Sequence, residues 1–302
     1  MNEMVFLKYF LVAFVSVGTT TIGYSFLGKK AIALASRFFT VLLGIGLAVA
    51  VYAALIEPYW IEVHEVKIKD PQLASIVLDT RIIHITDLHL RRGLGFREKE
   101  LVRKVNALKP DLIFITGDFI DREDQIPSAI ELIRSFHSRI GVFGVPGNTD
   151  HIVMDSDDLV RGLSPSGIDL LINEARQIDL GNGRFLWLVG IDDPKYGYDK
   201  LAKALRGVPY SLPLILLAHG PDIFHGAVRE KINLVLVGDT HGGQVGIPFL
   251  VRMSEYANRG PYMKGLFYEG QTHMYVNRGI GTKTLPIRFL CRPEIAVIKV
   301  TR

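Results

Sequence analysis

Two long apolar stretches open the chain, and the pattern then changes. Residues 4–26 carry one charge, Lys8, and residues 38–56 carry none. Each is close to the roughly 20 apolar residues needed to cross a hydrocarbon layer. A cleaved signal peptide would have a compact basic start and a shorter apolar core, so two transmembrane helices are predicted instead. Gly44, Gly46, Ala48, Ala50, Ala53 and Ala54 supply small faces on which the two could pack as a hairpin. The division expected is a membrane segment over 1–62 and a globular domain over 63–302.

Within the domain the hydrophobic period identifies the elements. Val63, Val66 and Ile68 read as an edge strand before an Asp70-Pro71 turn. Strands are predicted at 81–86, 111–116, 141–145, 169–172, 176–180, 185–190, 214–217, 234–237, 273–277 and 295–300. Helices are predicted at 98–108, 126–137, 155–163, 198–205 and 222–230. The run Leu112-Ile113-Phe114-Ile115 is apolar without alternation, as in a strand buried on both faces. Helices and strands alternate early and strands dominate later. That order predicts an α/β fold, a four-layer α-β-β-α sandwich of two mixed sheets.

Composition adjusts this picture in three ways. The hydrophobic fraction is 48% and the mean hydropathy +0.24, a surplus that sits in the first 60 residues. The net charge of +4 comes without a Lys/Arg-rich block, so no nucleic-acid partner is expected. A phosphorylated substrate or an anionic lipid surface suits the balance better. The one cysteine, Cys291, excludes an internal disulfide. Orientation is read from Lys29, Lys30 and Arg37, placed in the loop between the apolar stretches, against Glu57, Glu62 and Glu65 after them. The positive-inside rule then puts that loop in the cytoplasm and the domain on the exoplasmic side. Lys8, Lys67 and Lys69 pull the other way.

Candidate chemistry falls at strand ends. The sets are Asp87-x-His89, Gly117-Asp118, Gly147-Asn148-Thr149-Asp150, His219 and Gly238-Asp239-x-His241. Singly, each reads as a turn or a helix cap. Together they place carboxylate, amide and imidazole groups where open α/β folds put their sites. In D-x-H on a strand, the period of two would point both polar groups the same way. These are ligand types for borderline divalent metals.

The order of the sets resembles the calcineurin-like metallophosphoesterase family, whose pattern runs D-x-H, G-D, G-N-H-[DE], H and G-H-x-H. The resemblance covers about residues 81–302. Gly190-Ile191-Asp192-Asp193-Pro194, Tyr275–Gly281 and Cys291–Ile295 are similar to a membrane-linked bacterial branch. It implies two divalent ions: Asp87, His89 and His241 on one, Asn148 and His219 on the second, and Asp118 bridging. Asp118, Asn148 and His241 would carry the catalysis. Mn²⁺ is the expected metal, with Mg²⁺, Fe or Zn²⁺ as alternatives.

Two positions depart from the family pattern. Thr149 stands where the family has a histidine that assists the leaving group, and Asp239 where it has a histidine ligand. Asp239 can still coordinate and favours Mn²⁺ or Mg²⁺ over Zn²⁺. Without an acid at 149, a phosphate leaving group is favoured over an alkoxide. The implied substrate is a phosphodiester or diphosphate, such as the lipid-linked UDP-2,3-diacylglucosamine. That chemistry is cytoplasmic and conflicts with the loop-charge orientation. Arg91 and Arg92 either meet a substrate phosphate or are surface charge, and His151 is a solvated loop residue or a stand-in acid. Residues 252–271 form a loop over the site or an irregular crossing, and Asp192-Asp193-Pro194 is a turn. The alternative function is a degenerate metal-binding membrane protein with little catalysis.

Overall fold

The computed structural model describes residues 29–209, 212–247 and 261–302. Two compact units are present, Met1–Val51 and Tyr52–Arg302. The first expected membrane helix, residues 4–26, lies outside the described residues. At the second, helix α1 runs over Lys29–Leu55. The apolar stretch Ala33–Tyr59 has a mean hydropathy of 2.4 and is only 6% buried by the protein. A core helix would be covered by its own fold, whereas this one is long enough to cross a bilayer. Lys29, Lys30 and Arg37 lie within α1 rather than in a loop. The Lys-Lys-Ala-Ile-Ala-Leu-Ala start has good helix formers that override a break there. Lys29 and Lys30 thus precede the apolar span as part of the helix rather than as a connecting loop.

After α1 ends, the chain makes a turn at Glu57–Tyr59. Strand β1 (Glu62–Lys69) follows, then helix α2 (Pro71–Val77). The Asp70-Pro71 turn is thus a helix start. The Asp70 carboxylate accepts from Leu73 N at 2.9 Å, and Pro71 occupies a position whose N–H would be unpaired anyway. β2 (Ile82–Ile85), α3 (Phe96–Ala107), β3 (Leu112–Thr116), α4 (Ile126–Arg134) and β4 (Gly141–Val145) alternate as the hydrophobic pattern predicts. Two short helices, α5 (Asn148–Val153) and α6 (Ser156–Leu163), precede β5 (Asp169–Leu170), β6 (Glu174–Gly181) and β7 (Arg184–Gly190). The helix expected over 198–205 is confined to α7 (Leu201–Ala204). β8 (Leu214–Leu217), α8 (Phe224–Arg229) and β9 (Leu234–Val237) follow, then β10 (Gly265–Glu269), β11 (Thr272–Val276) and β12 (Glu294–Thr301). β10 replaces part of the irregular loop expected over 252–271, because it pairs antiparallel with β11. Residues 252–260 of that loop lie outside the described residues.

Two six-stranded sheets result, in the orders β1-β12-β2-β3-β4-β5 and β10-β11-β9-β8-β7-β6. Both are mixed. β12 runs antiparallel to β2 in the first, and β6 antiparallel to β7 in the second. Three apolar layers hold the domain. Phe114, Val145 and Ile298 of the first sheet meet Leu188, Leu217 and Leu236 of the second. Ile83 and Ile115 pack outward on Leu101 of α3 and Leu132 of α4. Leu216 and Val235 pack outward on Ala204 and Phe224. All five residues of β3 are buried, which explains its unalternating sequence. Burial of one Ile side chain there contributes ~1.5–3 kcal/mol. The predicted sandwich is the observed one, and it brings the loops after β2, β3, β4, β8 and β9 together.

Candidate metal centre

Those five loops carry Asp87, His89, Asp118, Asn148, His219, Asp239 and His241, all buried. Asp87 and His89 are not strand residues, since β2 ends at Ile85. Their φ angles are +53° and +45°. Asp118, Asp239 and His241 also take positive φ, at +53°, +65° and +50°. Convergence thus comes from left-handed backbone just past each strand, a region Asp, Asn and His tolerate better than most residues. The alternation expected of a strand plays no part.

Two glycines allow the loops to close. A Cβ at Gly117, whose φ is +85°, would lie 2.6 Å from His219 Nδ1 and 2.7 Å from Gly147 Cα. At Gly238 it would land on Thr86 Oγ1 and Asp87 Oδ2. A side chain at either position would push the loops apart.

The ligand atoms of Asp87, His89 and His241 lie within 4.8 Å of one another, and so do those of Asp87, Asp118 and His219. His89 Nε2 is 3.1 Å from His241 Nε2 and 3.4 Å from Asp118 Oδ2. His219 Nε2 is 3.4 Å from Asp118 Oδ1 and 3.7 Å from Asp239 Oδ1. Asp87 Oδ1 is buried without a hydrogen bond, 3.3 Å from His241 Nε2. The far ring nitrogens are held from behind. His219 Nδ1 donates to Thr116 O at 2.7 Å, and His89 Nδ1 donates to Asp121 Oδ1 at 2.5 Å. Each Nε2 lone pair is then directed into the cluster, as in metal-binding histidines.

Asn148 tests the fit to a cation. With its amide oxygen inward, the oxygen sits 3.2 Å from His219 Nε2 and faces Asp239 Oδ1, which only a positive ion between them would favour. Turned over, the nitrogen donates to His219 Nε2 at 3.2 Å and to Asp239 Oδ1 at 2.8 Å, while the oxygen accepts from Lys283 Nζ at 3.2 Å. The amide is satisfied in the second orientation, and a bound ion would select the first. With three carboxylates, three imidazoles and this amide, the residues fit a pair of divalent ions.

The charges show the same crowding. Burial pushes the Asp87 carboxyl up, and the neighbouring Asp118 adds to this. Burial also favours a neutral Asp118, but His219, His89 and Lys283 hold its carboxyl well below the usual range. Burial opposes charge on His219, yet Asp118, Asp87 and Asp239 push the imidazole well above its ordinary value. His241 is driven well down by burial and by the nearby His89. Protons are thereby shared in a site that divalent ions could neutralise instead.

Thr149 is committed elsewhere. Its hydroxyl donates to Asp118 Oδ2 at 2.7 Å and its N–H to Asp118 Oδ1 at 2.7 Å. His151 is neither solvated nor turned to the cluster. Its Nε2 meets Asp192 Oδ1 at 2.6 Å, its ring lies 4.5 Å from that of Tyr198, and despite burial Asp192 raises its pKa. Asp192 and Asp193 form a turn that binds His151 and the Tyr196 N–H. Arg91 pairs with Asp121 and donates to Thr282 O at 2.8 Å, while Arg92 is exposed.

Three residues given no role by the sequence reading also matter, two of them, Asp121 and Lys283, outside any motif. Asp121 backs His89. Asp150 accepts from Phe119 N and Gly147 N, both at 2.9 Å, tying two site loops; burial pushes its carboxyl up to about 7. Lys283 is clasped at its backbone by Gln244, which accepts from Lys283 N at 2.8 Å and donates to Lys283 O at 3.1 Å. In the sequence, Asp121 offered only its place three residues after Asp118, within an apolar run.

The fold and this cluster define a metal-dependent phosphoester hydrolase. The calcineurin-like phosphoesterase model matches residues 80–243. The chain is 32% identical over 250 residues to the metallophosphoesterase YkuE of Bacillus subtilis, covering 82% of this chain and 87% of that one. It is 30% identical over 259 residues to the phosphodiesterase YaeI of Escherichia coli, covering 82% and 92%. A zebrafish (Danio rerio) transmembrane protein with a metallophosphoesterase domain is 31% identical over 252 residues, covering 78% of this chain and 56% of the fish protein. The chain belongs to the calcineurin-like phosphoesterase family, whose members bind a dinuclear metal centre. Helix α1 is, by length and composition, apolar enough to cross a membrane, and two of the relatives are named as transmembrane proteins.

Proposed function

We propose that the protein hydrolyses a phosphodiester or diphosphate bond of a lipid-linked or nucleotide-linked substrate, with UDP-2,3-diacylglucosamine as the reference case. The observation that carries this is the Thr149 hydroxyl spent on Asp118, which leaves no acid at that position. An alkoxide needs a proton to depart, and loss of a general acid costs ~10²–10⁴ in rate. A phosphate, with its last pKa near ~6, departs unaided.

Asp87, His89 and His241 would hold one ion, Asn148, His219 and Asp239 the other, and Asp118 both. Two such ions lower the pKa of a shared water and neutralise charge on the phosphoryl oxygens. The oxygen-rich set around Asp239 favours Mn²⁺ or Mg²⁺. Asp121 orients His89. Asn148 presents its oxygen to the cluster when the ion is bound. Lys283, beside Asn148, adds positive charge where a phosphoryl group would lie, and Arg92 supplies a second cation at the rim. Arg91, tied to Asp121, acts mainly through His89.

Full-length protein in detergent with Mn²⁺ or Mg²⁺ should cleave UDP-2,3-diacylglucosamine faster than an alkyl phosphodiester, and chelation should stop both. Faster cleavage of the alkyl diester would overturn the leaving-group assignment. No turnover on a broad phosphoester panel, with one ion bound per chain, would favour the degenerate metal-binding alternative.

A further inference from the structure

We propose that the turn after α1 and the residue 281–292 segment form a lipid-contacting rim. It seats the metal cluster at the bilayer surface, so that the scissile phosphate is taken from the lipid head-group layer. Three observations place the rim and the cluster on one piece of structure.

The first is chemical continuity with the apolar helix. The stretch suited to a bilayer ends at Tyr59, and three large side chains linked to that turn stay uncovered among the described residues. Trp60 is 50% exposed, Phe96 68% and Leu290 63%. Tyr59 and Phe96 meet with ring centroids 6.3 Å apart, and the Arg292 guanidinium sits 3.8 Å over the Trp60 ring. Tyr, Trp and Arg side by side are the composition of a membrane interface, with rings in the head-group region and guanidinium near phosphate.

The second is that the rim is rigidly built. Glu57 is buried, and its carboxylate accepts from Leu290 N at 3.0 Å and Cys291 N at 2.5 Å. Arg288 N donates to Ala53 O at 2.9 Å. Leu290 has φ of +55°, a costly conformation for a bulky side chain that these bonds maintain. Its side chain is thereby held outward and stays uncovered. An apolar side chain held outward in this way has no cover among the described residues.

The third is the link from rim to cluster. Cys291 Sγ donates to His241 O at 3.2 Å. The fully buried Arg288 donates to the carbonyls of Gly279, Gly281 and Cys291 at 2.6–3.1 Å. Gly281 N in turn donates to Asp87 O at 2.6 Å. A side chain at Gly281 would strike His89 Cβ at 2.8 Å. Hydrogen bonds thus run from the Leu290–Cys291 segment through Arg288 and Gly281 to Asp87.

The membrane contact stands apart from the hydrolase reading, whereas the delivery of substrate rests on it. The test uses the full chain in vesicles of phosphatidylcholine and phosphatidylglycerol, with a fluorophore on Phe96→Cys or Leu290→Cys. Phe185→Cys, at the strand end remote from the site, serves as the reference. Nitroxide-labelled lipid should quench the two rim labels at least about threefold more than the reference. Equal quenching overturns the proposal. So does protection of the rim labels from both lipid nitroxide and aqueous iodide, which would mean that protein covers the rim. In a second arm, Phe96→Ser with Leu290→Ser should raise KM for a vesicle-embedded diphosphate about tenfold and leave a water-soluble aryl phosphodiester unchanged. An equal loss on both substrates would overturn the delivery role. Wild-type protein inactive on both would count against the hydrolase reading alone.

Discussion

The two walls of the metal cluster hold their histidines by different means. On the wall from the first sheet, His89 is backed by the Asp121 carboxylate, which Arg91 holds in turn. On the wall from the second sheet, His219 is backed by a neutral carbonyl, Thr116 O, and that carbonyl belongs to the first sheet. A charged carboxylate behind an imidazole holds the ring N–H more firmly than a neutral carbonyl does. Burial opposes ionisation of Asp121, but His89 and Arg91 keep its carboxyl below the usual range. The two ions of one cluster should therefore bind with unequal affinity. The second wall also depends on the sheets staying in register, while the first is organised within its own loops.

The strongest way to break this comparison is to remove the residue that both walls share. Asp118→Asn should cut turnover by a factor on the order of 10³ or more, because charge stabilisation at both ions is weakened together. Steady-state rates with Mn²⁺ measure this; retention of a tenth of the activity would deny Asp118 its bridging place. Next, Thr149→His restores an acid beside Asp118. Its effect should be confined to the poor leaving group, with an alkyl phosphodiester gaining ~10²-fold and a diphosphate nearly unchanged. A parallel gain on both would show that Thr149 does not set leaving-group preference.

Asp121→Asn sharpens the inequality itself. It should weaken the tighter of two binding steps by ~10–100-fold and leave the weaker step in place. Calorimetric titration with Mn²⁺ resolves the steps, and an unchanged isotherm would remove the distinction between the walls. The smallest expected effect lies beneath the first wall. His84 is fully buried, bonded to Thr116 Oγ1 at 2.8 Å, and burial pushes it down to about 3. Its folded pKa is below the unfolded one, so the unfolded chain takes the proton first as pH falls through ~6.5. This contribution is present above that pH and declines toward pH 3. By pH 5 the loss amounts to about 2 kcal/mol for one such histidine. Urea midpoints for His84→Gln should drop less between pH 7.5 and 5 than those of the parent protein, by that amount; parallel curves would count against it.

Much of the fold was legible in the apolar runs. Leu112–Ile115 and Leu234–Val237 could only be strands buried on both faces, and the apolar spacing in residues 126–134 matched a helix face. Less legible were elements stabilised by partners distant in the chain. β10 exists because Tyr268 pairs with His273 and Leu266 with Tyr275, and its own exposed side chains carry little signal. The Lys29–Arg37 region was read as a loop from its charges, whereas its helix propensity governs. Asp192 had no reason in sequence to seek His151, 41 residues away.

By itself, the sequence determined which residues could bind metal, since only Asp, Asn and His supply those donors and their order along the chain is that of the family. It also determined the layered fold, through the periods of its apolar positions, and a helix long and apolar enough to cross a membrane. Tertiary structure alone decided how the ligands converge. Left-handed φ angles at Asp87, His89, Asp118, Asp239 and His241 turn the side chains inward, and close loop packing sustains those angles. It also decided which groups stand behind the ligands. Asp121, Asp150 and Lys283 act through distance and direction, which depend on two sheets meeting and cannot be read from spacing along one chain.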